Sequence, residues 1–305
     1  MSVRYRKKEL NFFCRSEYYV FFVEKYSEKE SVSGLEKIRR GERMAILSRL
    51  LSVHPNKLYS LNHFVEMLGV AKSTLSEDFT ALKAVLNNLE LGDIVSVAGA
   101  AGGIKYLPVW DSKRTNQFLQ DLAKKITDPE RILPGGYLYN NDIIYDPLLG
   151  QAIGEIFAQR FYDNPPDYIV TVETRGIPLA LMTAKALGIP LITIRHDSKL
   201  TEGSSVSINY LSGSTHRVRR MYLARRALPS GARVVFIDDF MKAGGTARGM
   251  LDLMSEFNVE VMGIGALVAT KTPSKKLVPN YFSLLELIDL NEYERHITIV
   301  PAFEA

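Results

Sequence analysis

Cysteine is all but absent. The chain carries a single one, Cys14, in 305 residues. That excludes an internal disulfide framework and a zinc site built on cysteine pairs, and it fits a reducing cytoplasm. No apolar run approaches the length of a membrane span, so no membrane partner is expected. The basic start continues into further charged residues and does not read as a signal peptide. Internal repeats and low-complexity tracts are missing too. Neither sign of charge dominates: the net charge is only +4. Such a balance neither requires nor forbids nucleic acid, so the distribution of charge carries the information. What remains is a globular composition, 46% hydrophobic and 24% charged, in a chain long enough for two cores.

One stretch organises the rest. Val234, Val235, Phe236 and Ile237 form an apolar run suited to a strand covered on both faces, as in a parallel sheet. Asp238 and Asp239 follow, then Phe240, Met241, Lys242, Ala243, Gly244, Gly245 and Thr246. Thr246 is expected to open a helix with Met250, Leu251, Met254 and Phe257 at helical spacing. The carboxylates fall at the end of a strand, where open α/β sheets bind ligands. Loop amides, the Thr246 hydroxyl and the helix N-terminus make an anion cradle. A ribose 5-phosphate reconciles paired carboxylates with such a cradle. Its phosphate sits in the loop, and its 2′ and 3′ hydroxyls donate to the carboxylates. The plainer alternative is a βα turn in which Asp239 caps the helix. The stretch resembles the phosphoribosyl diphosphate (PRPP) binding motif of the type I phosphoribosyltransferases. It departs from the commoner form at Phe240, where a small aliphatic residue is usual, and at Lys242, where a small or hydroxyl residue is usual. Both departures are compatible with a sugar-phosphate site and count against transferase activity.

Residues 1–34 are unlike the remainder, with Phe12, Phe13, Tyr18, Tyr19, Phe21, Phe22 and Tyr26 crowded between charges. Two readings stand: an arm that packs on the body, or a start codon assigned too early, with Leu35 as the true start. From Ile38 the pattern is regular. Arg39, Arg40 and Arg43 precede a helix through Met44, Leu47, Leu50 and Leu51, which His54, Pro55 and Asn56 break. Ser60 is expected to cap a second helix and Ser73 a third, with Leu75, Phe79, Leu82, Leu86 and Leu89 on one face of the third. The third helix presents Lys72, Ser73, Thr74, Ser76 and Lys83 on its other side. Two short helices about a glycine turn form a helix-turn-helix pattern. The runs 94–97 and 104–107 flank a small flexible tip that includes Gly102 and Gly103, as a wing would. The candidate DNA contacts are therefore Arg39, Arg40, Arg43, Lys72, Ser73, Thr74, Ser76, Lys83, Gly102, Gly103 and Lys105. A helical interaction module with a solvated basic face is the alternative.

Pro108 and the polar residues 111–113 mark a boundary. Beyond it a helix carries Phe118, Leu119, Leu122 and Ile126. The run 168–172, the turn at Thr174, Arg175 and Gly176, a helix over 177–187 and the run 191–194 give a βαβ order, hence a parallel sheet with right-handed crossovers. That turn shares a sheet edge with Asp238 and suits a second anion such as diphosphate. Tyr137 reads equally as a core aromatic or as a platform for a ligand's base. Residues 195–226 are the most basic stretch and are dense in Ser, Gly and Thr. Closing over a polyanion, adding positive surface near DNA and forming a solvated loop are all open for it. Strands are expected over 261–268, around 284–288 and at 297–300.

A winged helix joined to such a sheet resembles the PurR purine operon regulators of Gram-positive bacteria. The pieces that carry the likeness are residues 71–78, 129–137 and 201–204 and the Asp238 motif, and the match spans about residues 36–300. The resemblance implies an α/β chain in three parts: an atypical extension over 1–34, a winged helix-turn-helix domain over 35–109, and a type I phosphoribosyltransferase-like parallel sheet domain over 110–305. It implies a cytoplasmic homodimer on operator DNA upstream of purine genes. PRPP would be the effector that weakens DNA binding, and guanosine tetraphosphate a competitor for the same pocket. No catalytic residue, metal or catalytic cofactor is implied. The PRPP contacts it suggests are Asp238, Asp239, Phe240, Lys242, Ala243, Gly244, Gly245, Thr246, Thr174, Arg175, Gly176 and Tyr137. A catalytically active purine phosphoribosyltransferase with an appended DNA-binding module is the rival class. A nucleotide-sensing adaptor whose first domain binds protein is a third.

Overall fold

The computed structural model describes residues 38–99, 101–198, 201, 203–211 and 218–302. The aromatic-rich segment 1–34 lies outside the described residues, as do Lys199, Glu202 and Arg217 of the basic stretch.

Three helices open the described chain: α1 (Arg40–Val53), α2 (Leu61–Leu68) and α3 (Lys72–Asn88). Ser60 Oγ accepts the His63 amide and caps α2, as expected. Gly69 ends that helix in the left-handed conformation, φ 65°, which a side chain would strain. The expected cap at Ser73 is not formed. Helix α3 begins two residues earlier than such a cap implies, Ala71 is its N-cap, and no side chain caps it. Leu75, Phe79 and Leu82 enter the small core with Leu47, Leu51 and Phe64. Leu89 does not, being exposed where the helix ends. An antiparallel pair follows, β1 (Asp93–Val97) with β2 (Gly103–Leu107). Residues 56–59 lie along β2 as a third line of chain. The Tyr59 amide donates to Ile104 O, the Ile104 amide returns the bond, and the Asn56 amide donates to Tyr106 O.

Helix α4 (Ser112–Ile126) is capped by Asp111. Trp110, just before it, is pinned to the second domain. Its amide donates to Gln159 Oε1, its carbonyl accepts from Gln159 Nε2, and its indole N–H donates to Glu155. Arg114 lies 3.6 Å above the Trp110 ring and donates to the Glu90 carbonyl beyond the end of α3. The junction between domains is thereby held on both sides.

A short hairpin, β3 (Ile132–Leu133) and β4 (Tyr137–Leu138), is followed by α5 (Asn141–Ile144) and α6 (Pro147–Gln159). Then come β5 (Tyr168–Val172), α7 (Ile177–Leu187), β6 (Leu191–Ile194), β7 (Ser205–Leu211) and β8 (Val218–Ala224). The chain closes with β9 (Arg233–Met241), α8 (Gly245–Ser255), β10 (Glu260–Thr270), β11 (Phe282–Asn291) and β12 (His296–Pro301). Six strands form the main sheet in the order β12-β11-β10-β9-β5-β6. All neighbours are parallel except β11 and β12. Strand β9 is the reason both faces fill. Val235 and Ile237 point into the core shared with α4, α6 and α7, while Val234 and Phe236 point into the one covered by α8 and the β7–β8 pair. The stretch 195–226 is therefore no plain loop: much of it is a two-stranded antiparallel ribbon, with Ile208 and Tyr210 on its packed side.

Candidate functional site

Strand β9 pairs with β5 only as far as Phe236, opposite Val170. From β5 the chain crosses to β6 on one side, whereas β9 leads to β10 on the other. The sheet therefore has a topological switch point between β5 and β9, and a crevice opens at their carboxyl ends. A cleft of about 830 Å³ lies there. Every expected effector residue but Gly176 lines it: Tyr137, Thr174, Arg175, Asp238, Asp239, Phe240, Lys242, Ala243, Gly244, Gly245 and Thr246. Gly176 itself is buried at the start of α7, where a Cβ would strike Thr171 Oγ1 and come within 2.9 Å of Asp238 Oδ1. Glycine is needed there for close approach.

The carboxylates still sit in the ladder, with Asp238 opposite Ala266 on β10. Asp239 caps nothing, which removes the plain-turn alternative. The N-cap of α8 is Gly244 at φ 81°, and the helix starts at Gly245, a residue before Thr246. The Asp239 amide donates to Asp238 Oδ1 at 2.9 Å. Arg175 reaches over from the β5 turn, 3.1 Å from Asp239 Oδ2, and also donates to buried Asn140. Asp238 shows an edge to the cleft but is closely walled in. Burial, and then the neighbouring Asp239 charge, push its carboxyl well above the ordinary carboxylate range, with Arg175 opposing. Among the cleft-lining residues, Arg175 Nε and His196 Nδ1 are buried without a hydrogen-bond partner. Such groups are costly unless something polar meets them. A ligand bearing hydroxyls and anionic oxygens has that chemistry.

Tyr137 is exposed on the cleft wall and not in the core. It comes from the β3–β4 hairpin, whose turn uses left-handed Gly135 and Gly136 and is tied to Glu292 through the Gly135 amide. Leu287, Ile288, Asp289 and Leu290 also line the cleft, with Leu290 beside Gly136 of that turn; none was expected as a site residue. Tyr210 was not singled out as a site residue, and Arg219 only as part of the basic stretch for which closing over a polyanion was one reading. Tyr210 and Arg219, one from each strand of the ribbon, both line the cleft. Burial raises the Tyr210 pKa above the usual phenol value, with Arg219 and Thr246 opposing. Gly249 leaves the ring room, because a Cβ there would meet the Tyr210 side chain at 2.7 Å. Behind the loop, Lys276 is buried and donates to the Thr270 carbonyl and hydroxyl, and Thr270 in turn bonds the Lys242 carbonyl. Burial lowers the Lys276 pKa. Among the described residues no cluster of His, Cys, Asp or Glu is placed to hold a metal.

The first domain has a groove of about 480 Å³ between α3 and the wing. Lys72, Ser76, Lys83, Gly102 and Gly103 line it, and Ser73 and Thr74 stand beside them at the start of α3. Lys83 is also paired with Asp93 at 3.1 Å. Arg39 is exposed, and Arg40 is largely exposed while touching Asp78 at 3.3 Å. Three expected contacts need correction. Arg43 lies inside α1, buried, with its Nε 2.7 Å from buried Asp78 Oδ2, so its charge is spent within the fold. Gly103 is at the wing's root and not its tip; it is buried, and a Cβ there would collide with the Tyr59 carbonyl. Lys105 lies outside the groove, its ammonium donating to Asn56 Oδ1 at 2.9 Å.

A winged helix-turn-helix joined to a type I phosphoribosyltransferase-like domain, with a carboxylate-bearing cleft at the switch point, defines a distinct class of protein. Comparison with known proteins makes the assignment narrower. Residues 39–108 match the family model for the bacterial purine repressor N-terminal domain, and residues 140–296 that for the phosphoribosyl transferase domain. The chain is 44% identical to the purine biosynthesis transcriptional repressor PurR of Bacillus subtilis, over 86% of this chain and 92% of that one. It is 34% identical to the purine biosynthesis transcriptional activator PurR of Lactococcus lactis subsp. lactis, over 86% and 97%. It is also 35% identical to a xanthine phosphoribosyltransferase of Exiguobacterium, over 60% of this chain and 98% of that one. The chain belongs to the PurR family of purine biosynthesis transcriptional regulators.

Proposed function

We infer that this protein is a DNA-binding transcriptional regulator of purine biosynthesis genes and that PRPP sets its affinity for operator DNA. The observation that carries the reading is the family match across both halves of the chain, together with a complete anion loop and carboxylate pair in the cleft. The chain divides into a winged-helix domain over 35–109 and an effector domain over 110–305. Lys72, Ser73, Thr74 and Ser76 at the start of α3 meet double-stranded DNA, helped by Arg39, Arg40, Lys83 and the wing turn at Gly102. PRPP lays its 5-phosphate in the loop 242–246, its ribose hydroxyls on Asp238 and Asp239, and its diphosphate at Thr174, Arg175 and Gly176. Lys242 adds positive charge beside the phosphates. Phe240 and Tyr137 border the base side, where guanosine tetraphosphate competes. The working unit is a homodimer in the cytoplasm. Relatives that span this chain are named as regulators, so the fold of a transferase is used here for sensing. A ligand shifts an equilibrium only by its differential affinity for the two states. The test is DNA binding titrated with PRPP at fixed salt, since salt alone moves such affinities by orders of magnitude. PRPP is expected to weaken operator binding, and Asp238→Ala to abolish the response while sparing DNA affinity. A normal response from that variant overturns the site assignment.

The intact carboxylate pair and the xanthine phosphoribosyltransferase match favour one second reading, an active purine phosphoribosyltransferase. Diphosphate release from PRPP with adenine, guanine, hypoxanthine or xanthine would establish it.

A further inference from the structure

Helix α7 touches both halves of the molecule. Its N-terminal end is the turn Thr174, Arg175 and Gly176 on the cleft. Its C-terminal end docks on the first domain. Gly188, at φ 69°, lies so close to the Pro55 carbonyl that a Cβ would come within 2.7 Å of it. One residue back, the Leu187 carbonyl accepts a hydrogen bond from Asn56 Nδ2 at 2.9 Å. The last carbonyls of a helix have no partner within it, and Asn56 supplies one from another domain.

Asn56 is fully engaged. Its Oδ1 accepts from Lys105 Nζ at 2.9 Å, and its own amide donates to Tyr106 O at 2.7 Å. Both partners are on β2, the second strand of the wing. The same segment then pairs with β2 through Tyr59 and Ile104. Whatever moves Asn56 therefore moves the wing strand directly. The residue sits at φ 60°, a left-handed conformation that asparagine tolerates better than most residues. The helix between the two ends is suited to act as one body. It has no glycine within it, and its proline is at the first turn, where it does not kink the helix. Eleven residues at 1.5 Å each give a rod of about 16 Å. Its flank is packed backbone-close on α6, where a Cβ on Gly154 would meet Met182 at 2.6 Å. At the cleft end, Arg175 bridges Asp239 and Asn140. An anion that recruits this guanidinium competes with those two partners and shifts the turn from which the rod starts.

We propose that Asn56 is the joint through which ligand binding at the Thr174 turn governs the wing, with α7 as the rod between them. The proposal rests on the PRPP reading given above. Asn56 is a positioning residue: it touches neither ligand nor the groove.

The experiment compares wild type with Asn56→Gly, which removes the side-chain bonds and suits the backbone conformation. Operator affinity is measured with and without PRPP, and PRPP affinity is measured alone by calorimetry. In the wild type, PRPP is expected to change operator affinity by a factor within the roughly 5–150-fold range usual for coupled sites. In Asn56→Gly that factor is expected to fall below about 2-fold, with each single affinity within about 3-fold of wild type. Asn56→Asp keeps an acceptor for Lys105 but sets a carboxylate against the Leu187 carbonyl, so it is expected to uncouple as Asn56→Gly does. Retention of the full factor by both variants overturns the joint and leaves the PRPP reading standing. A wild type that binds no PRPP, or ignores it, overturns both. Amide exchange on the wild type needs no variant: PRPP is expected to alter protection over 54–59 and 103–107, and unchanged exchange there also refutes the proposal.

Discussion

At the scale of single residues, charge is the quantity that matters most, and two side chains show opposite uses of it. Asp238 is enclosed and held against Asp239, so its carboxyl titrates above the usual range. Because its folded pKa is raised, protonation favours the fold, and that favour is lost as pH rises through the raised value. Asp238→Asn should therefore melt higher than wild type at neutral pH. The gain should vanish below about pH 4, near the ordinary carboxyl pKa, where both proteins carry a neutral group. Melting curves across that window check the sign. The same variant is expected to lose PRPP binding, because an amide replaces the ionised acceptor that ribose hydroxyls need. Arg43 and Asp78 form the other case, a buried ion pair. Removing one partner of such a pair costs about 3–5 kcal/mol. Arg43→Ala is expected to destabilise the protein on that scale, seen by denaturant titration, without flattening the salt dependence of DNA binding. Lys72→Ala should do the reverse, lowering the slope of log affinity against log salt by about 0.9 with stability nearly unchanged.

At the scale of elements, legibility followed the distance between cause and effect along the chain. The strand, carboxylates, loop and helix over 233–255 are contiguous, so their pattern could be read directly. The Ser60 cap, the wing pair and the βαβ crossover were legible for the same reason. Arg43 was misread because Asp78 is 35 residues away and nothing local announces the pair. Leu89 kept helical spacing yet fell where α3 stops, beyond the reach of the core. The β7–β8 ribbon had a signal in the alternation of Val206, Ile208 and Tyr210, but Ser and Gly around it suggested a loop. With the ribbon unseen, Tyr210 could not be placed on the cleft, and Arg219 was reached only through the reading of the whole stretch as one that closes over a polyanion. Lys276, reached only through tertiary packing, had no signal at all. The turn before α7 supplies a test at this scale. Gly176→Ala would push a methyl group toward Thr171 and Asp238. PRPP affinity is expected to drop at least tenfold by calorimetry, a cost of about 1.4 kcal/mol or more. Operator binding in the absence of PRPP is expected to stay near wild type.

At the scale of the whole molecule, a DNA reader and a ligand cleft share one chain through a short, heavily bonded junction. Trp110 is held to Gln159 and Glu155, Arg114 to the Glu90 carbonyl, and Asn56 to Leu187. Ligand that binds only the folded state raises its stability by mass action, by about 2.7 kcal/mol at a hundredfold excess over Kd. Because the junction ties the two domains, PRPP is expected to raise the melting temperature of both together, as a single calorimetric transition. Two separated transitions, with only one responding, would mean that the domains unfold independently.

The pinned tryptophan leaves the reading head no tether on which to swing. In a homodimer, the distance between the two recognition helices is then fixed by protein geometry and not by slack chain. Inserting five base pairs between operator half-sites, about half a helical turn, should turn one half-site away from its reader and abolish paired occupancy, whereas ten should restore the phase at a greater separation that the rigid frame still cannot reach.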